Sequence, residues 1–192
     1  YDTAQKYEKE KFMKLLSDLV LNIEQENYSF GRPKTPISDI LYSLVFKVYS
    51  GFSSRRFNSD LRFSQEKGFI SCDVPRSTMS DYFNKEEVTQ MLQELVKISS
   101  RPLGQIENDF AIDSSGIGTS QFQRWFSYKH GKDIRSRKWL KCHIISGVKT
   151  NIIPSVKITS EFENDCPQLR ELLGNMEEVF EIKEVSGDKA YL

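Results

Sequence analysis

Cysteine is scarce in this chain: Cys72, Cys142 and Cys166 lie far apart without a CxxC pair. Only two histidines accompany them in 192 residues. Neither a disulfide framework nor a zinc site is suggested, so a reducing compartment, the cytoplasm, is expected. Long apolar runs are missing as well. No stretch approaches the roughly 18 residues that a membrane-spanning helix needs, and the opening YDTAQKYEKEKF is charged where a secretory signal would be apolar. A membrane partner is therefore not expected. The first residue is Tyr1, not methionine, which reads as a fragment lacking some of its amino end. Net charge is absent too: 27 basic residues balance 27 acidic ones. That balance argues against a protein that binds nucleic acid over its whole surface.

The charges are unevenly placed, however. KHGKDIRSRK, from Lys129 to Lys138, holds five basic residues against one acid, whereas Glu161 to Glu184 holds eight acids against two bases. A neutral total can thus conceal a basic face. There is no internal repeat and no low-complexity stretch.

The hydrophobic pattern predicts a helical first half and a strand-rich second half. Over residues 4–26, Phe12, Leu15, Leu16, Leu19 and Ile23 recur at helical spacing. Gly31, Pro33 and Pro36 then break the chain. A second helix is predicted from Pro36 to Tyr49, stopped by Gly51, with Ile40, Leu41, Leu44, Val45 and Val48 inward. A third follows a Ser53 or Ser54 cap, buries Phe57, Leu61 and Phe63, and ends at Gly68. Further helices are expected from Ser77 to Phe83 and from Glu86 to Ser99. This spacing permits a helix-turn-helix, as it permits a small bundle with no DNA-binding role.

After SSRPLGQ the period changes to that of strands. NDFAID reads as a short buried strand ending at Asp113, followed by a flexible SSG turn. RKWLKCHIISGV and NIIPSVKIT read as an antiparallel hairpin, with Leu140, Cys142 and Ile144 on one side. CPQLRELLGNM reads as a helix with Pro167 in its first turn, and VFEIKEVSGDKAYL as a strand ending near Asp188. The predicted fold class is α/β, a helical region over 1–104 preceding a mixed sheet with flanking helices over 105–192.

This order gives Asp113 a partner. If its strand and the one before Asp188 are parallel neighbours, both carboxylates reach the same sheet edge, where open α/β sheets bind ligands. Two such acids repel each other unless a divalent cation neutralises them, and carboxylate oxygens with water are what Mg²⁺ accepts. Aspartate also stabilises turns after strands, so on the residues alone a surface carboxylate and a metal site both stand.

Four segments in register, FAIDSSGIGTSQFQRWFSYKHG, RKWLKCHIISGVKTNIIPSVKIT, NDCPQLRELL and EVSGDKAYL, resemble the DDE transposases of bacterial and archaeal insertion sequences. The likeness reaches back into SLVFKVYSGFSSRRFNSDLR and VPRSTMSDYFN, covering the chain from about Pro36. It implies an incomplete ribonuclease-H-like core in which Asp113 and Asp188 match the first two catalytic and metal-holding acids. It further implies two Mg²⁺ or Mn²⁺ ions in the complete site, double-stranded DNA partners (transposon ends and target) and a homodimer on DNA. The implied third acid, a glutamate, lies beyond the second aspartate, and the sequence stops at Leu192; a cut fragment or a broken gene, either a poor catalyst, is expected. A non-catalytic DNA-binding remnant is the alternative, and an unrelated nuclease of the same fold a third.

For phosphate contacts the candidates are Arg124, Lys129, Arg135, Arg137, Lys138 and Lys141, interleaved with Trp125, Phe126, Tyr128 and Trp139. Arg55, Arg56 and Arg62 on one helix and Arg76, Ser77 and Thr78 at the start of another join them. The plainer reading of each group is a solvated surface. His143 is expected to be structural, and Asp165 to cap the helix beginning near Pro167.

Overall fold

The structure is a computed structural model that describes residues 5–24, 31, 33–118 and 139–191. The chain divides into two compact units, Tyr1–Leu95 and Val96–Leu192.

The first unit is helical: α1 (Glu8–Val20), α2 (Ile37–Ser50), α3 (Ser54–Glu66), α4 (Arg76–Phe83) and α5 (Glu86–Ser100), whose last turn belongs to the second unit. Its centre is α2. Every residue from Asp39 to Leu44 is buried, as is Phe46, because this helix is apolar nearly all round and has neighbours on several faces. Tyr42 and Phe46 pack with Phe57 and Leu61 of α3, Met79 of α4 and Val88 and Leu95 of α5. Side chains of this size each contribute about 1.5–3 kcal/mol on burial. Gly51 ends α2 with φ 65°, a left-handed conformation natural to glycine. The buried Asp39 carboxylate accepts the Ser71 and Cys72 N–H groups at 3.0 and 3.1 Å and the Ser71 hydroxyl at 2.6 Å, tying the loop after α3 to the central helix.

Three side chains expected inward lie outward. In α1 Met13, Leu16, Ser17 and Val20 are buried and Phe12, Leu19 and Ile23 pack partly buried against the same core, so of the predicted row only Leu15 is exposed. Val48 lies in the last turn of α2, where the core is already filled by Tyr42 and Phe46, and it too is exposed. Phe63, near the end of α3, faces solvent beneath the Lys67 ammonium, 5.6 Å from its ring.

The second unit is a four-stranded mixed sheet of β1 (Asp109–Gly118), β2 (Trp139–Gly147), β3 (Ser155–Ser160) and β4 (Glu184–Gly187) in the order β3-β2-β1-β4. β2 runs antiparallel to β1 and β3, as the hairpin pattern requires, whereas β4 runs parallel to β1. The helix α6 (Cys166–Gly174), with Pro167 in its first turn, packs with the sheet through Leu172, and Phe110, Ile112, Ile145, Met176, Phe180 and Tyr191 complete that core. This α/β architecture, helices followed by an open mixed sheet with flanking helix, is consistent with an incomplete ribonuclease-H-like fold.

β1 is longer than its apolar pattern suggested. The SSG of Ser114 to Gly116, expected as a flexible turn, continues the strand through Ile117 and Gly118 because each residue is paired with β2, from Ser114 opposite His143 to Gly118 opposite Trp139. Pairing to a partner strand overrides the low strand propensity of Ser and Gly. The alternation along β1 places Phe110, Ile112 and Ser114 on the α6 side and Asp109, Ala111, Asp113, Ser115 and Ile117 on the other. On that second side Ile117 and Leu140, directly opposite each other, and Ile158 are all exposed.

Candidate metal and catalytic site

Parallel pairing of β1 with β4 runs Asp109 with Glu184, Phe110 with Val185, Ala111 with Ser186 and Ile112 with Gly187. The next step along the two chains is Asp113 and Asp188. Adjacent strands are about 4.8 Å apart and partners in a parallel register share a face. The fold thus brings these two acids, 75 positions apart in sequence, to the place where β4 ends beside β1. Both residues are exposed. Each carboxylate is oriented by the backbone that follows it: the Ser114 N–H donates to Asp113 Oδ1 at 2.7 Å, and the Lys189 N–H to Asp188 Oδ1 at 2.5 Å.

Glycine at 187 makes this juxtaposition possible. A Cβ there would lie 2.6 Å from Ile112 Cγ2, a buried core atom, so the strands approach closely because one of them has no side chain. Gly187→Ala is expected to push β4 off β1 and to lower stability by about 1–3 kcal/mol. Thermal melts and amide exchange across Glu184–Gly187 would register both effects; unchanged protection would show that the strand tolerates the methyl.

Beneath the acids, on the α6 side, lies a buried polar chain. His143 is fully buried, with Nδ1 3.0 Å from the Tyr191 hydroxyl and Nε2 2.9 Å from Thr159 Oγ1. Burial lowers its pKa, Asp165 pulls it back upward, and Lys141 and Lys157 lower it further. The net direction keeps the imidazole neutral, in keeping with the structural role expected for it. Asp165 occupies the N-cap position of α6 but makes no side-chain capping bond. Its carboxylate instead accepts from the Lys141 ammonium at 3.0 Å and lies 3.6 Å from His143, so ion pairing, not the expected capping, accounts for it. The Cys142 thiol is pushed up by burial, which removes it as a nucleophile.

Two residues without a recognisable sequence signal shape the sheet. Glu107, fully buried just before β1, accepts the Lys149 N–H, the Thr150 N–H and the Thr150 hydroxyl at 2.9, 2.8 and 2.9 Å. It thereby clamps the turn between β2 and β3. Gly147 gives it room: a Cβ there would lie 2.5 Å from the Glu107 carboxylate.

The candidate DNA-contacting residues are scattered. Arg124, Lys129, Arg135, Arg137 and Lys138 lie outside the described residues. Lys141 is half-buried, its ammonium held by Asp165 and by the Glu163 carbonyl at 3.0 Å. Arg55 and Arg56 are exposed on α3, the Arg56 guanidinium 4.8 Å from the centre of the Phe52 ring. Arg76, exposed at the start of α4, lines a groove of about 610 Å³ with Lys47, Ser54, Ser77, Ser80 and Asp81.

Among the described residues no group of three or more His, Cys, Asp or Glu side chains is placed to hold a metal ion, and no helix is long and apolar enough to cross a membrane. The aspartate pair alone nonetheless fits Mg²⁺ by donor type, since that ion takes one or two carboxylates and keeps several waters. Residues 104–192 match the family model described as a transposase DDE domain. No curated protein and no solved structure matches the chain.

Proposed function

We propose, from the match of residues 104–192 to the transposase DDE domain model, that the chain is part of a DNA transposase in which Asp113 and Asp188 are the first two acids of the catalytic centre. The observation that carries this reading is the β1–β4 register, whose last pair, Ile112 with Gly187, is followed in sequence by Asp113 and Asp188. In the complete protein the reaction is hydrolysis at an element's end, followed by attack of the freed 3′ hydroxyl on target DNA. Divalent ions, Mg²⁺ or Mn²⁺, two in the complete site, would supply activation of water and stabilisation of the leaving oxygen when bound. What the two aspartates contribute is negative charge in a fixed position, held by their own Ser114 and Lys189 amides.

DNA is assigned to the helical region, 1–104, through Arg55, Arg56 and Arg76, and to the basic segment through Arg124, Lys129, Arg135, Arg137 and Lys138. That segment is anchored at Gly118 and Trp139, the ends of β1 and β2 that lie beyond Asp113. Gly118 lies five steps along the strand from Asp113, roughly 17 Å. Lys141 is left out because its charge is engaged by Asp165. Joining two ends implies a homodimer on DNA.

A second reading is a DNA-binding remnant without cleavage. One experiment separates the readings: the chain is incubated with duplex carrying its element's terminal repeats, with and without Mg²⁺. Metal-dependent nicking with strand-transfer products supports the transposase reading, and salt-sensitive binding without nicking supports the remnant. Cleavage of any duplex without joined products would indicate a nuclease instead.

A further inference from the structure

We infer that Tyr191 and His143 form a pin that holds Asp188 in place beside Asp113, making both of them positioning residues for the acidic pair. The inference rests on the reading of those aspartates as the metal-holding acids. β4 is only four residues long and lies at the end of the sheet order, and the chain leaves it at Asp188. A carboxylate at the tip of so short a strand would fray unless something beyond it were tied down.

Tyr191 supplies that tie. Its backbone N–H donates to the Asp188 carbonyl at 3.0 Å, closing a single 3₁₀ turn over Lys189–Tyr191. Its ring is buried with Ile112, Ile145 and Leu172. Its hydroxyl lies 3.0 Å from His143 Nδ1. His143 sits on β2 opposite Ser114 and is fixed from its far side by Thr159 at 2.9 Å. Ser114 directly follows Asp113. The phenolic oxygen therefore joins the turn that begins at Asp188 to β2, opposite the residue that follows Asp113, through a histidine contacted at both ring nitrogens. By strand alternation Asp113 lies on one face of β1 and the His143–Tyr191 contact on the α6 side, so the pin acts from behind the strand that carries the first acid.

The test is Mn²⁺ binding by the full chain, followed by paramagnetic broadening of assigned NMR resonances, with Asp113→Asn and Asp188→Asn as references. Tyr191→Phe keeps the ring and removes the hydroxyl. The expected result is Mn²⁺ affinity weakened roughly five- to tenfold, read as broadening around both acids that needs correspondingly more Mn²⁺ to appear, in a variant whose thermal melt remains cooperative. Should Tyr191→Phe not fold, His143→Gln replaces it, with the same pattern expected. Unaltered Mn²⁺ affinity in a folded variant would overturn the pin and leave the metal reading standing. Absence of broadening near both acids in the unmodified chain would overturn the metal reading, and the pin with it. Failure of both variants to fold would make the contact a determinant of the whole unit and likewise end the claim.

Discussion

Replacing either Asp113 or Asp188 by asparagine in the cleavage-competent protein is expected to reduce nicking at an element's end about a thousandfold or more, with duplex binding retained to within a few-fold. The size follows from the charge removed. A carboxylate that helps hold a cation at the reacting phosphate stabilises several kcal/mol of developing charge, and about 4 kcal/mol corresponds to three powers of ten in rate. The specificity of the effect follows from placement. Both residues are exposed, and neither belongs to the buried cluster of Phe110, Ile112 and Leu172, so the fold does not depend on them. Asparagine keeps the side-chain oxygen that accepts the Ser114 or Lys189 N–H, which isolates charge from shape. Gel-resolved nicking and a filter-binding isotherm at matched salt are the two measurements. Wild-type nicking in either variant would remove that residue from the proposed centre.

The second large effect concerns stability. Glu107→Ala is expected to cost at least about 2 kcal/mol, because three donors of the β2–β3 turn lose their acceptor at once. Gly147→Ala should be destabilising on its own by about 1–3 kcal/mol, since the new methyl would overlap the Glu107 carboxylate. In the Glu107→Ala background the same methyl enters vacated space, so the double variant should be distinctly more stable than the sum of the two losses predicts. Strict additivity in urea unfolding would show that the two residues do not meet. The pair also sets an acid limb. Burial alone would raise the Glu107 pKa, but the bonds from Thr150 and Lys149 outweigh it and hold the carboxyl below its ordinary value. The resulting stabilisation is whole above that ordinary value and is lost as pH falls through the lowered one. Glu107→Gln, which can present an amide oxygen to the same donors, should flatten this limb.

How far the sequence could be read depended on whether the signal was periodic. The aspartate pair was legible because a strand, a hairpin, a helix and a further strand announce themselves by alternation and turn residues. The parallel β1–β4 pairing is one such arrangement, and it is the one the structure contains. The strand limits were less legible. Ser114 to Gly118 carry no apolar signal and are strand because β2 lies beside them. Glu107 was invisible for the same reason: its partners come from a turn 42 and 43 positions away, and nothing in GQIENDF distinguishes it from a surface glutamate. The inward face of α1 was legible at Phe12, Leu16, Leu19 and Ile23, whereas helical spacing alone did not separate Leu15, which is exposed, from Met13 and Val20, which are buried. His143 and Tyr191 each stood within a recognised segment, but that they touch could not be inferred from spacing.

The topology of the sheet also fixes the sequence in which it can assemble. β2 and β3 are joined by a short turn, so their pairing needs only a local search. Joining β4 to β1 must instead close a loop that contains both of the other strands and α6. Local pairings form before distant ones, because the entropy of closure must be met before the contacts repay it. A folding chain would therefore hold a finished hairpin well before β4 docked. In the function proposed above, Asp113 and Asp188 would come together only at that step.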